Sequence, residues 1–501
     1  MDNNKFRPTY HVSVPKGWCN DPNGMIFYDG KAHLFYQHYP YDYKWGQMHW
    51  GHVATKDFVK WEQYPVALRP DEDYEVICGC CSGNAIEKDG KLYLMYTAAQ
   101  PEVQRQCLAW STDGGRTFTK EPNNPILKAE DLDPEVSPRD FRDPKIFIRD
   151  GIYYCLCGIR LLDVNDSYLT RGMSDTTAVP KEERGILGWG NLILMKSKDL
   201  YHWEYCGHLI DRKEGYDESF YHVDGAYECP DFIESNGKQI ILASPQNHPQ
   251  LGYLYQNGHS SCFLPGTLNF ENGHFDYEGI YEIDSGLDFY APQTMKLPDG
   301  RIIMIAWKEM WDRSFPTQAF DWAGTYTLPR EVEWKNGRLY QYPVREIKNY
   351  ESNKVEKKDI TIENESISFE GIEGNTIELK VVLRPNAKKV GLRIFKGKIH
   401  HTDLWYEMDK NLITFSRADS GIPVRGFEDN TDVRVCEIDD EEKLTLDLFL
   451  DVNSVEIFIN GGRYTMSNNV YPNPDDIGIE VFCEDGSCLI ESIEKYDIIV
   501  K

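Results

Sequence analysis

Residues 24–39 read GMIFYDGKAHLFYQHY. Two apolar, aromatic-rich runs flank Asp29-Gly30, and an Asp-Gly or Asn-Gly turn between such runs is the strongest short-range signal for a β-hairpin. The arrangement returns in GNAIEKDGKLYLMYTA (83–98), DPKIFIRDGIYYCLCGI (143–159), DFIESNGKQIILAS (231–244) and MKLPDGRIIMIAW (295–307). Their turns fall at Asp89-Gly90, Asp150-Gly151, Asn236-Gly237 and Asp299-Gly300. A second echo lies between the hairpins. HVATKDFVKWEQYPVAL (52–68) resembles LMKSKDLYHWEYCGHLI (194–210), with Lys56-Asp57 and Trp61 matching Lys198-Asp199 and Trp203. AWSTDGGRTFTKEPNNPIL (109–127) is a looser copy. Self-similar four-stranded units at a spacing of roughly 55–85 residues indicate blades of a β-propeller. Five hairpins predict five blades; a β-sandwich of repeated hairpins fits the same pattern at this point.

Around 344–359 the composition shifts to VREIKNYESNKVEKKD, polar and charged, which reads as a connecting segment. Alternating strand patterns follow: DITIENESISFEG, NTIELKVVLRP, VGLRIFKG, KLTLDLFLDVNSVEIFING, IGIEVFCED and CLIESIEKYDIIV. Their spacing suits a β-sandwich. The expected organisation is all-β: a five-bladed propeller over 1–345, a linker over 346–358 and a β-sandwich over 359–501.

Among the 501 residues, 41% are hydrophobic and 27% charged, which excludes a disordered or collagen-like chain. Against 81 Asp and Glu stand 54 Lys and Arg, a net charge of −27. Such a chain repels phosphate backbones and anionic lipid, so nucleic acid and membranes are not expected partners. A local basic pocket for a phosphorylated small molecule stays compatible with that balance. Aromatic residues reach 13%, material for cores and for platforms on which sugars stack. No run of about 18 apolar residues predicts a membrane helix. The opening MDNNKFRPTYHVSVPKGW has no secretory pattern, and the 13 Cys are scattered and odd in number. Both features predict reduced thiols in a cytoplasmic protein. Cys78, Cys80 and Cys81 cluster without a second ligand pair at zinc spacing, so no metal is expected.

Three short stretches can carry chemistry. Trp18-Cys19-Asn20-Asp21-Pro22-Asn23-Gly24 is turn chemistry, in which Pro fixes φ and Gly admits positive φ. It reads either as a turn opening the first hairpin or as a rigid mount for the Asp21 carboxylate at the mouth of the propeller axis. Phe141-Arg142-Asp143-Pro144 enters a strand; it is either a surface ion pair or a preset carboxylate at Asp143. Arg139-Asp140, three residues earlier, invites confusion with it. Tyr227-Glu228-Cys229-Pro230-Asp231 again places an acid before a strand, where Tyr227 and Cys229 offer the partly apolar flank that suits a general acid. Three acids at strand starts in different repeats can share one axial funnel. A pair of carboxyls about 5–5.5 Å apart is the equipment of a retaining glycosidase.

These stretches resemble, in type and order, the Trp-x-Asn-Asp-Pro-Asn-Gly, Arg-Asp-Pro and Glu-Cys motifs of glycoside hydrolase family 32, the invertases, sucrose-6-phosphate hydrolases and fructanases. The resemblance spans the chain. It includes Arg7-Pro8-x-Tyr10-His11, Leu34-Phe35-Tyr36-Gln37, Trp45-Gly46-x-x-His49-Trp50-Gly51-His52 and Cys81-Ser82-Gly83-Asn84. Further on come Asp288-Phe289-Tyr290-Ala291-Pro292-Gln293, Ile305-Ala306-Trp307, Gly324-x-Tyr326-Thr327-Leu328-Pro329-Arg330-Glu331, Phe415-Ser416-Arg417 and Ser454-Val455-Glu456-Ile457-Phe458. The resemblance implies the propeller, the sandwich and a retaining mechanism on β-fructofuranosides, with no metal or organic cofactor. Asp21 would be the nucleophile, Glu228 the acid/base and Asp143 the transition-state stabiliser. Asn20, Gln37, Trp45, Ser82, Arg142 and Trp307 would line the fructose pocket.

The sequence departs from the family at Cys19, Tyr39, Cys81 and Asn84, and 161–188 looks like a longer loop than usual. These departures touch the rim of the pocket, and so leaving-group and chain-length preference. The expected activity is hydrolysis of sucrose, sucrose 6-phosphate or short fructo-oligosaccharides. Fructosyl transfer on the same scaffold and a non-catalytic sugar-binding protein are the other readings. Lys308 and Arg313, just after Trp307, are candidates by position for a phosphate, or else solvated surface charges. The sandwich is expected to be structural or to offer an oligomer surface.

Overall fold

The computed structural model describes residues 5–101, 103–132, 136–161, 189–210, 226–246, 248–427 and 430–500. Most of the loop expected over 161–188 lies outside them. The N-terminal part is a five-bladed β-propeller. Blade 1 is built from Gly17–Tyr28, Lys31–Tyr39, His49–Thr55 and Trp61–Gln63. Blade 2 follows with Gly79–Lys88, Lys91–Gln100, Val103–Ser111 and Thr119–Lys120. Blade 3 has Val136–Arg149, Ile152–Leu161, Trp189–Ser197 and Glu204–His208. Blade 4 has Tyr227–Ser235, Lys238–Pro245, Cys262–Leu268 and Phe275–Tyr277. Blade 5 has Tyr290–Lys296, Ile302–Trp307, Arg330–Lys335 and Arg338–Pro343. The first strand of each blade packs against the first strands of its neighbours, around a closed ring.

Blade strands read as continuous apolar runs because both faces are buried, each against a different neighbour. Leu92, Leu94 and Tyr96 join the core toward blade 1 with Phe35 and Trp50. Tyr93 and Met95, between them in sequence, join the core toward blade 3 with Ile146 and Cys155. Ile240 and Leu242 likewise face Ile302 and Met304 of blade 5, while Ile241 and Ala243 face Leu156 and Leu194 of blade 3. Leu34 and Tyr36 meet Ile303 and Ile305 and complete the circle. This two-residue period is what feeds alternate side chains to successive interfaces.

The turns explain why the hairpins are so legible. Asp29, Asp89, Asp150 and Asn236 all have φ near +50°, and each is followed by a glycine with φ between +73° and +78°. Both central residues in the left-handed region define the hairpin turn that matches strand twist. The fifth differs: only Gly300 has positive φ, and Pro298 sits in a longer loop closed by Leu297 N–H donating to Arg301 O at 2.8 Å. The second echo is a turn as well. Asp57, Asp113 and Asp199 each accept two backbone N–H groups two to four residues on. Thr55, Ser111 and Ser197 do the same from two residues earlier.

Ring closure joins the start of the propeller to its end. Gly17-Trp18 pairs in parallel with Trp322-Ala323, Gly17 N–H donates to Asp321 O at 2.9 Å, and Tyr326 N–H donates to Val12 O at 3.0 Å.

Residues 346–358, read from their charge as a linker, have regular structure: a 3-10 helix, Arg345–Tyr350, and the first part of the strand Glu351–Glu363. That strand pairs with Gly478–Ile498, so its charges line the outer face of a ladder. The C-terminal β-sandwich is organised by Ile377–Lys396 and Gly478–Ile498, antiparallel over most of their length. Residues 377–383 also pair with Leu444–Asp451, and 389–394 with Thr402–Glu407, so one long strand joins the two halves of a continuous ten-stranded ladder. Its buried residues Leu379, Val381 and Leu383 pack on Leu446, Leu448 and Ile490.

Propeller and sandwich share buried charge. Glu456 accepts from Arg330 (3.1 and 2.5 Å) and from Leu328 N–H (2.7 Å), and faces His11 Nε2 at 2.9 Å. His11 Nδ1 faces Asp451 at 2.8 Å, and Asp451 also accepts the Thr9 N–H at 2.8 Å. Asp288 is held by Arg313 at 2.9 Å and Arg417 at 2.7 Å.

Candidate active site

Each first strand carries one extra residue near its start, at an equivalent place. The register slips between Cys19 and Pro22, Cys81 and Gly83, Arg142 and Lys145, Glu228 and Asp231, and Tyr290 and Gln293. A bulge re-aims side chains out of the alternating pattern. Asp143, Cys229 and Ala291 reach φ of +62°, +46° and +52° to make it. The five bulges meet, and their side chains form one hydrogen-bonded group at the head of the axis.

Asp21 is buried. Its Oδ2 accepts the Ser82 hydroxyl at 2.6 Å and the Cys229 thiol at 3.4 Å, tying blade 1 to blades 2 and 4. Oδ1 is buried and takes no well-formed hydrogen bond among the described residues. Burial pushes the Asp21 carboxyl up to about 6, helped by the charge of Glu228; hydrogen bonds from Ser82, Asn20 and Cys229 pull the other way. Asp143 Oδ2 accepts the Cys229 N–H at 2.9 Å, and the Asp143 N–H donates to Thr97 Oγ1 at 2.9 Å. Burial pushes Asp143 up as well; the Arg142 guanidinium opposes that, and the charges of Glu228 and Asp21 add to it. The Cys229 thiol is driven well above its ordinary range by burial and by these carboxylates, so it stays a donor.

Of the three carboxylates Asp21, Asp143 and Glu228, Glu228 is the most exposed, 16% at the side chain. Its carboxylate is held by two donors: Arg142 Nε donates to its Oε1 at 3.0 Å and the Tyr290 hydroxyl to its Oε2 at 2.7 Å. Arg142 spends its remaining donors on Asp140 (3.1 Å), Gln104 (3.3 Å) and Gln246 (3.3 Å). Burial works against the Asp140 charge, but Arg160 and Arg142 hold its carboxyl below the usual range. Two residues further along the strands, Lys145 Nζ lies 2.8 Å from Asp231 and donates to Thr294 O at 3.0 Å. This buried pair floors the site and joins blades 3, 4 and 5.

The other expected residues divide. Asn20 accepts from Trp18 Nε1 at 2.8 Å beside Asp21. Gln37 is buried and donates to Cys80 O at 3.0 Å, behind the bulge of blade 2. Trp307 is fully buried, with Trp18 and Trp311 at ring distances of 5.7 and 5.0 Å. Trp45 is 46% exposed and shares none of the hydrogen bonds that join the carboxylates among the described residues. Lys308 and Arg313 are neither a phosphate site nor solvated. Lys308 Nζ donates to Ser454 Oγ at 2.7 Å inside the domain interface, and Arg313 is consumed by Asp288, Asn257 and Leu287 O. Following Trp307 in sequence does not put them on its side of the strand end. Thr97, Cys229 and Tyr290 are the site residues that received no role from sequence. A repeat points to Cys229 and Tyr290: Asn20-Asp21-Pro22, Arg142-Asp143-Pro144, Glu228-Cys229-Pro230 and Tyr290-Ala291-Pro292 occupy the same bulge, and Cys81-Ser82-Gly83 fills it in blade 2.

Comparison with known proteins agrees with this architecture. Residues 11–170 and 179–343 match the glycosyl hydrolases family 32 N-terminal domain, and 346–497 match the glycosyl hydrolases family 32 C terminal domain. The raffinose invertase of Escherichia coli is 33% identical, over 97% of this chain and 94% of its own. The β-fructofuranosidase of Bombyx mori superposes with a TM-score of 0.78 at 30% identity, covering 99% of this chain and 94% of that one. The sucrose-6-phosphate hydrolase of Lactobacillus gasseri gives 0.81 at 27% identity, covering 99% and 93%. With both family domains matched in order along a chain of this fold, the protein belongs to glycosyl hydrolase family 32.

Proposed function

We propose that the protein is a retaining β-fructofuranosidase that releases fructose from sucrose and related small β-fructofuranosides. The observation that carries this reading is the unequal treatment of the carboxylates. Asp21 is fixed through one oxygen and leaves Oδ1 without a well-formed hydrogen bond, as an attacking atom requires. Glu228 lies toward solvent, where a leaving group departs and water enters. In the first step Oδ1 of Asp21 bonds to the anomeric carbon as the glycosidic C–O bond breaks, and Glu228 gives its proton to the departing oxygen. In the second, Glu228 takes a proton from water, whose oxygen displaces Asp21 and frees fructose. Asp143 accepts hydrogen bonds from fructose hydroxyls and steadies the positive charge at the ring. Arg142 holds Glu228 in place. Asn20, Gln37, Ser82 and Trp307 shape the fructose pocket, and Trp45 its rim.

The relatives named for raffinose and for sucrose 6-phosphate mark the range of leaving groups to test. We place the enzyme in the cytoplasm, acting on sugars taken up by the cell; its 13 unpaired cysteines suit a reducing compartment. The deciding measurement is kcat/KM for sucrose and sucrose 6-phosphate side by side, with 1-kestose as a third substrate. Wild type is expected to release fructose, and Asp21→Asn to lose at least about a thousandfold in kcat. Persistence of hydrolysis in Asp21→Asn would sink the assignment. A tenfold preference for the phosphorylated sugar amounts to about 1.4 kcal/mol of transition-state binding and would require a cation other than Lys308 or Arg313.

A further inference from the structure

One segment of the sandwich domain pairs with the stretch that follows Trp307 in the propeller. Residues Arg425–Gly426 form an antiparallel pair with Arg313–Ser314, which follow Trp307 and Trp311 in blade 5. Phe427 N–H then donates to Asp312 O at 3.1 Å. The Phe427 ring is 95% exposed, the most exposed large apolar side chain among the described residues. The ring is thus open to solvent on a segment hydrogen-bonded to the propeller. Asp312, half exposed at the side chain, lies 3.5 Å from His259 Nε2. The His259 ring is 5.8 Å from that of Tyr290, whose hydroxyl holds Glu228. His259 is also bridged through its backbone to Gln246, which accepts from Arg142. A line of contacts thus leads from the acid/base outward through Tyr290, His259 and Asp312 to Phe427.

Resting on the assignment of Glu228 as acid/base, we propose that Asp312 and Phe427 form an outer subsite for the second sugar of a leaving group. The first leaving-group sugar must lie against Glu228, which protonates its oxygen. A second unit then extends toward His259 and Asp312. There the Asp312 carboxylate accepts sugar hydroxyls, and the Phe427 ring offers a face to the C–H side of a pyranose or furanose. The C-terminal domain thereby contributes to choice among substrates, favouring fructosides with a disaccharide leaving group over those with a monosaccharide one.

The test compares sucrose with raffinose and 1-kestose in wild type, Phe427→Ala, Phe427→Trp and Asp312→Asn. An exposed ring can be removed without opening the core, so Phe427→Ala is expected to fold. The inference expects KM for both trisaccharides to rise about three- to tenfold in Phe427→Ala relative to the change for sucrose, with kcat retained. Phe427→Trp should restore the trisaccharide KM, and Asp312→Asn should raise it. Equal changes for di- and trisaccharides, or none in the trisaccharides, overturn the inference while the fructosidase reading stands. Failure of wild type to release fructose from all three substrates overturns both.

Discussion

As the proposed nucleophile, Asp21 is under two opposed demands: attack would need its charge, and its surroundings penalise that charge. It is buried, shares the funnel with Glu228 and Asp143, and is stabilised by only a few short polar contacts. Cys229 helps by donating from its thiol to Asp21 and from its backbone to Asp143, so one residue braces two carboxylates. The imbalance has a pH signature. Folding raises the Asp21 carboxyl from 3.8 to about 6. The folded state therefore binds this proton more tightly than the unfolded chain. The associated stability is full below the unfolded value and is lost as pH rises through about 6, a penalty of about 3 kcal/mol at pH 7. Asp21→Asn, which keeps an acceptor for Ser82 and removes the charge, should melt above wild type at pH 7. Thermal denaturation from pH 4 to 8 should show that gap closing toward pH 4; a gap independent of pH would contradict the account.

At the scale of the strand, the bulges turn five similar hairpins into one site. Blade 2 shows what the close approach requires. A Cβ on Gly83 would stand 2.0 Å from Met95 O and 2.7 Å from Tyr96 Cα, both backbone atoms. Gly151, in a hairpin turn at φ +77°, has nothing within 4 Å of an added Cβ. Gly151→Ala should cost about 1 kcal/mol in denaturant titration, through backbone strain alone. Gly83→Ala should lose soluble yield or, where it folds, most of its kcat, because Ser82 moves with it. The hairpins were legible in sequence because four of the five use the same left-handed turn, and the apolar strands because every face is buried. Asp21, Asp143 and Glu228 were legible because acids beside Pro-fixed turns stand out. Tyr290 was not, since Tyr-Ala-Pro has no carboxylate to draw the eye and declares itself only when blades are aligned. Lys308 and Arg313 misled because a strand end reverses direction, and only packing against the sandwich decides where such cations point. Residues 346–358 looked like a linker because an outer strand of a sandwich is as charged as a loop.

Across the whole molecule, the two domains are bound by buried charges that neither could leave unpaired. Glu456 answers Arg330 and His11, and Lys308 lies 3.9 Å away. Burial lowers Lys308 to about 8, with Glu456 and Asp451 resisting the shift. Glu456→Ala should destabilise the protein by about 3–5 kcal/mol, the usual cost of stranding a buried cation, in chemical or thermal denaturation. A loss under about 1 kcal/mol would mean that the interface relaxes and admits water. The ring is closed by residues 12–18 against 321–326, and Thr9 and His11 are held by Asp451 and Glu456. Synthesis runs from one end, so the opening strand emerges with its outer neighbour about 300 residues away. The first blade must leave the ribosome with a bare edge, exposed to wrong partners until blade 5 and then the sandwich arrive. Asp21 is thus made about 300 residues before the strand that closes the ring beside it, and the proposed site is whole only once blade 5 has joined blade 1.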